Sequence, residues 1–237
     1  MTLFQTLESI RKRVKEASQR SPFGVKPIML MGVSKGQPLN SVRSAAEIGL
    51  LDLGENYAQE LLSKAPLCTE FPIRWHFIGK VQSNKIKYIL PHISSICSVD
   101  SIEIADRIAR VRDQLEIERP PIPILLQVNL GNDPHRAGLQ PEVLDGIFER
   151  FLNVQGVSVS GLMAIPPFVR NVKLVRPYFK TMKELFDKLQ QRHPNPERFQ
   201  VLSMGMSRDF EEAIEEGSTC VRVGEAIFGP RPVVKKT

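Results

Sequence analysis

The chain has 237 residues, 42% hydrophobic and 24% charged, a balance that fits a globular protein with a sizeable core and excludes a disordered, collagen-like or disulfide-scaffold chain. Its formal charge is +6. Lys and Arg are spread along helical segments, and the one aromatic-rich window, FPIRWHF, holds a single arginine, so a solvated basic surface is favoured over a nucleic-acid face.

The chain opens on a helix over residues 1–20, with apolar Leu3, Leu7, Ile10, Val14 and Ala17 on one stripe and Thr2 and Gln5 at capping-box spacing. Glu8 and Glu16 interrupt it, which argues against a targeting peptide. Eight short β-rich runs follow, at 28–33, 51–54, 73–78, 93–99, 122–130, 155–163, 198–203 and 219–223. Helical periodicity lies between them: SVRSAAEIGL, ENYAQELLSKA, QSNKIKYIL, SIEIADRIARVRDQL (opened by Asp100, with Glu103 three residues on), PEVLDGIFERFL, PYFKTMKELFDKLQQ and RDFEEAIEEG. Strict alternation implies parallel strands with right-handed crossovers. The count of eight favours an α/β fold of the (β/α)8 TIM-barrel type over an open sheet, because MGVSKGQP is not GxGxxG. One barrel domain is expected over 1–237, with the first helix outside the repeat and a loose tail at 232–237. No apolar stretch approaches the roughly 18–20 residues of a membrane span. Cys68, Cys97 and Cys220 stand far apart without a CxxC pair, so no metal site and a reducing, cytoplasmic address are expected.

In such a barrel, chemistry gathers at the C-terminal strand ends. Lys35 follows the first strand in alternation with Met31 and Val33, so an inward Val33 takes Lys35 with it. A lysine amine at a low-dielectric mouth tends to lose its proton and can form a Schiff base with an aldehyde; a lysine that snorkels to solvent is the alternative. Arg222, between Val221 and Val223, should point inward, to pair with Glu225 or another carboxylate or to donate to a ring nitrogen of a cofactor. The loops after strands seven and eight, SMGMS and GEAIFG, could cradle a phosphate with Ser207 at the head of the next helix, or Ser207 could be an N-cap and the glycines turn residues. His76 faces either the cavity or a satisfied core, and Asn56 either starts a helix or meets a ligand. His92, His135 and His193 lack metal-ligand spacing, and Met163, Met204 and Met206 suit packing.

The pieces VSKGQP, GENYAQE, WHFIGKVQSNK, SVDS, LLQVNL, GLMAIPP, LSMGMSRDFEEAI and GSTCVRVGEAIFGPR run in order from residue 33 to 231. Together they resemble the pyridoxal 5′-phosphate homeostasis protein family, also called the proline-synthetase-co-transcribed family, which is similar to the N-terminal barrel of alanine racemase. The resemblance implies that Lys35 carries pyridoxal phosphate (PLP) as an internal aldimine. It implies that Ser207 and the backbone around Gly224 and Glu225 hold the phosphate, that Arg222 approaches the pyridine nitrogen, and that Asn56 and Met204 line the ring. The chain departs from the family at Gln37, where a positive charge is usual, at Glu225, where a hydroxyl is usual, and at Arg136, where a lysine is usual. An arginine cannot keep the pyridine nitrogen protonated, and Tyr57, Tyr88 and Tyr178 offer no evident second acid/base. A non-catalytic carrier of PLP, acting as a monomer and passing it to PLP-dependent apo-enzymes, is therefore expected, with an amino-acid racemase or decarboxylase as the alternative.

Overall fold

The computed structural model describes residues 1–118, 120–131 and 137–231, apart from the side chain of Lys173. The expected tail and Arg136 and His135 lie outside the described residues.

Helix α1 (Leu3–Arg20) begins at the expected capping box: Gln5 N–H donates to Thr2 Oγ1 at 3.2 Å and Thr2 N–H donates to Gln5 Oε1 at 3.0 Å. Eight parallel strands follow: β1 (Met29–Val33), β2 (Asp52–Glu55), β3 (Arg74–Phe77), β4 (Ser95–Val99), β5 (Ile122–Val128), β6 (Val157–Ala164), β7 (Val201–Met206) and β8 (Cys220–Val223). They pair in sequence order, and β8 returns to β1, closing the barrel. Between them run α2 (Leu39–Glu47), α3 (Ala58–Lys64), α4 (Ile86–Ile89), α5 (Ile102–Gln114), α6 (Pro141–Leu152), α7 (Arg176–Arg192) and α8 (Phe210–Glu215), with the one-turn α9 (Glu225–Phe228) after β8. The expected cap of α5 at Asp100 falls one residue later, where Ser101 Oγ accepts from Ile104 N–H.

Alternation along each strand divides the core in two. Outward side chains such as Leu53, Ile96, Leu126 and Val221 meet the helices in the larger cluster. Inward Met31, Cys97, Leu125, Met163 and Cys220 fill the barrel interior.

α1 lies outside the repeat in sequence, as expected, and in space it stands in the ring of helices. Its buried stripe, Leu7, Ile10, Val14 and Ala17, packs where α8, α9 and α2 meet. Arg13 Nε donates to Glu211 at 2.6 Å and Arg20 Nε to Glu215 at 2.7 Å, fixing it on α8. α9 is too short to cover the sheet beside β8, so the first helix takes the eighth helical position.

The strand beginnings carry a polar plug. Arg74 donates to both Asp52 oxygens at 2.6 Å. His76, buried, bridges Asp52 at 3.1 Å and Ser95 Oγ at 2.7 Å, so it is a satisfied core histidine and not a cavity residue. Burial pushes the Asp52 carboxyl up, but the hydrogen bonds from His76 and Arg74 outweigh it and hold it at about 2. A depressed carboxyl pKa contributes stability above its unfolded value of 3.8 and loses it as pH falls toward about 2. Asp52→Asn is expected to remove that contribution, about 1 kcal/mol given the solvent exposure of Arg74. Urea unfolding at pH 6 and pH 2.5 checks this, the variant difference being larger at pH 6.

Candidate functional site

A cavity of about 410 Å³ opens at the C-terminal strand ends. Lys35, Asn56, Ser207, Arg222, Gly224 and Glu225 all line it. Met204 does not. It is fully buried among the outward-facing residues, and Met206 lines the cavity instead. Alternation with the inward Ser203 turns Met204 outward, and a bulge brings Met206 in. Ser203 pairs with Cys220 and Met206 with Arg222, three residues of β7 against two of β8, so the inward position after Ser203 passes to Met206.

Lys35 follows Met31 and Val33 on the inward side of β1, half-buried at the cavity wall. Burial pushes its amine pKa down, and the guanidiniums of Arg231 and Arg222 push it further, against weaker opposition from Glu55 and Glu60. The amine is thereby shifted toward its neutral, nucleophilic form. Arg231 lies at the opposite end of the chain from Lys35, with its side chain against Gly36, and supplies a positive charge beside Lys35 where Gln37 does not. Gln37 is buried and donates to Gly229 O at 3.4 Å.

The backbone around Lys35 is tied down by residues that sequence reasoning left unassigned. Ser34 Oγ donates to Glu55 Oε1 at 2.8 Å, and Gly36 N–H donates to Glu60 Oε2 at 2.7 Å. Lys64 Nζ donates to Ser34 O at 2.9 Å, Glu55 Oε1 at 2.6 Å and Glu60 Oε2 at 2.8 Å. The i, i+4 spacing of Glu60 and Lys64 on α3 was the available signal.

Arg222 points inward as alternation requires, 4% exposed. It finds no carboxylate within ion-pair reach among the described residues. Its Nη1 donates to Ser203 O at 2.9 Å and Ser203 Oγ at 2.6 Å, and its Nη2 donates to Ala164 O at 2.9 Å. Three of its five N–H groups are thus engaged with neutral acceptors, leaving donors for a ligand.

Ser207 was expected to head a helix, but α8 starts three residues later. Asp209 Oδ1 accepts Met206 N–H at 2.6 Å, a local turn that delays the helix. Ser207 Oγ accepts instead from Gly224 N–H and Ala226 N–H, both at 3.3 Å. One hydroxyl and two backbone donors converge there, a group suited to an anion. Glu225 between them is exposed at the rim. The lining carries Lys35, Arg208, Arg222 and Arg231 against Asp209 and Glu225, which favours a multiply charged anion.

Asn56 contributes a buried side-chain oxygen without a partner among the described residues. Its backbone touches Gly79 so closely that a Cβ there would stand 1.9 Å from Asn56 O. Gly79→Ala is therefore expected to displace Asn56 and to cost about 3 kcal/mol, read as a lowered urea midpoint. The remaining wall is apolar: Ile165, Pro166, Pro167, Phe168, Val169 and Val172 of the β6–α7 loop. Phe168 lies under the Arg208 guanidinium, 4.8 Å from its ring centroid.

The donor set suits an aromatic aldehyde bearing a phosphate and a ring nitrogen. Lys35 matches the aldehyde, the Ser207, Gly224 and Ala226 donors match the phosphate, Arg222 matches the ring nitrogen, and the Asn56 side-chain oxygen, without a partner among the described residues, matches a ring substituent. The residues fit the group.

Comparison with known proteins agrees. The family model described as alanine racemase, N-terminal domain, matches residues 6–232. A pyridoxal phosphate homeostasis protein of Aquifex aeolicus is 38% identical over 98% of this chain and 99% of its own. That of Escherichia coli K12 is 35% identical over 97% of each. Among solved structures, PipY of Synechococcus elongatus PCC7942 with PLP bound superposes with a TM-score of 0.83 at 33% identity, covering 96% of this chain and all of that one. An alanine racemase of Corynebacterium glutamicum, 16% identical with a TM-score of 0.62, shares the fold over 97% of this chain but only 62% of its own. The chain, a closed α/β barrel with a lysine at its mouth, belongs to the pyridoxal phosphate homeostasis protein family and carries the alanine racemase N-terminal domain.

Proposed function

We propose that this protein binds pyridoxal 5′-phosphate for its homeostasis and holds it covalently on Lys35 as a Schiff base, without catalytic turnover. One observation carries the reading: a half-buried lysine with a lowered pKa shares a cavity with the hydroxyl and two backbone donors at Ser207, Gly224 and Ala226. The relatives named for pyridoxal phosphate homeostasis and PipY with PLP bound support it.

When bound, the cofactor supplies an electrophilic aldehyde and an electron-withdrawing ring. The chain's own residues do the rest. Lys35 provides the nucleophilic amine. Ser207, Gly224 and Ala226 hold the phosphate, and Glu225, exposed at the rim, keeps its carboxylate in solvent. Arg222 donates to the ring nitrogen and cannot give it a proton, so the ring is held as a weak electron sink. Asn56 and Met206 flank the ring. Tyr57, Tyr88 and Tyr178 are not among the described cavity-lining residues, which leaves a racemase without an evident second proton carrier. We further propose that the carrier is monomeric, works in the cytoplasm and releases PLP to apo-enzymes.

Borohydride reduction of the loaded protein followed by peptide mass spectrometry is the direct test. The expected result is a phosphopyridoxyl label on Lys35. A label confined to another side chain rejects the site. Interconversion of L- and D-alanine, or decarboxylation of any amino acid, at ordinary enzymatic rates of about 1 s⁻¹ or more rejects the carrier reading and favours the racemase or decarboxylase.

A further inference from the structure

We propose that the cluster of buried Glu55 and Lys64 with half-buried Glu60 positions Lys35 for covalent capture of the aldehyde, and is not merely part of the fold. The proposal rests on the carrier reading above. Neither neighbour of Lys35 is free. Ser34 is held through its carbonyl by Lys64 and through its hydroxyl by Glu55, and Gly36 through its N–H by Glu60. Lys64 stands at the centre, donating to all three partners within 2.9 Å. The loop that carries the reactive amine is thereby anchored on both sides of it to β2 and α3.

Energetics argue for a geometric role. Glu55 is fully buried and Lys64 is 5% exposed. Removing such a pair from water costs about as much as its attraction returns, and well-packed apolar residues often stabilise a fold at least as well. Glu55 Oε2 has no partner among the described residues, a further cost to the folded state. A cluster this costly, placed directly behind the Lys35 turn, contributes orientation: a nucleophile misplaced by about 1 Å loses up to about 100-fold in reactivity. Lys64, Glu55 and Glu60 are thus positioning residues. They do not line the cavity.

The test separates capture from fit. Dissociation constants are measured by equilibrium dialysis for pyridoxal 5′-phosphate and for 4′-deoxypyridoxine 5′-phosphate, which keeps ring and phosphate but lacks the aldehyde. Lys64→Met is expected to weaken pyridoxal phosphate by about tenfold or more and to leave the deoxy analogue within about twofold. Glu60→Ala, which frees only the Gly36 N–H at a side chain 29% exposed, is expected to move the same way by about threefold and carries the test if Lys64→Met does not fold. Parallel weakening of both ligands would reduce the cluster to a structural role, and unchanged affinity in both variants also overturns the proposal. If the wild type and Lys35→Ala bind pyridoxal phosphate equally well, the underlying reading of Lys35 fails, a result distinct from either.

Discussion

Replacing Lys35 by alanine is expected to abolish the reducible pyridoxal phosphate adduct altogether, the largest functional effect of any single change in the molecule. The visible band of the loaded wild type should bleach with borohydride, and the variant should show no such band. The phosphate donors at Ser207, Gly224 and Ala226 remain, so weak non-covalent binding should persist and the loss should be specific to the bond. Thermal unfolding gives an independent readout. A ligand at about 100 times its dissociation constant stabilises the wild type by about 2.7 kcal/mol, and most of that rise should vanish in the variant at the same concentration. Without ligand the sign reverses. Burial and the charges of Arg231 and Arg222 lower the Lys35 pKa, so the folded state disfavours its proton. Such a group opposes folding at pH below its folded pKa, and the opposition fades as pH rises to the unfolded value. The unliganded variant should therefore melt no lower than the wild type at neutral pH.

Arg222→Leu is expected to damage both fold and function. The guanidinium satisfies Ser203 O, Ser203 Oγ and Ala164 O inside the barrel, and a leucine leaves those acceptors without it. Burying the charge costs the native protein something, which burial reports as a lowered Arg222 pKa. The leaving of unpaired acceptors outweighs that relief, for a net loss of about 2 kcal/mol. Urea denaturation checks the magnitude, and an unchanged midpoint contradicts it. Pyridoxal phosphate affinity should fall by about tenfold, the worth of one charge-assisted hydrogen bond. The two variants divide the site: Lys35→Ala removes the bond and spares the frame, whereas Arg222→Leu weakens the frame and keeps the bond.

Much of this was legible in the sequence, because β-strand alternation is a rule of period two. Met31, Val33 and Lys35 were placed on one side by counting, and Arg222 was turned inward by its two valine neighbours. Counting failed where the period breaks. Met204 is turned outward by ordinary alternation with the inward Ser203, whereas the bulge between Ser203 and Met206 adds a residue to β7 and brings in Met206 where Gly205 would face the interior, the positive φ of Gly205 being its one signal. The helix start expected at Ser207 falls at Phe210 because Asp209 takes Met206 N–H locally. Glu60 and Lys64 were invisible as partners of the Lys35 turn because their contacts cross from the turn after β1 to α3, 24 and 30 residues away in the chain. Arg231 was missed for the same reason at greater separation.

The helix that completes the ring bears on how the protein is made. α1 is translated before the strands of the barrel, but most of the surface that covers its apolar stripe belongs to α8 and α9, which come after β7 and β8. Until β7 to α9 have emerged, α2 alone is at hand to cover that stripe, so the nascent chain must keep an amphipathic segment out of trouble in the meantime.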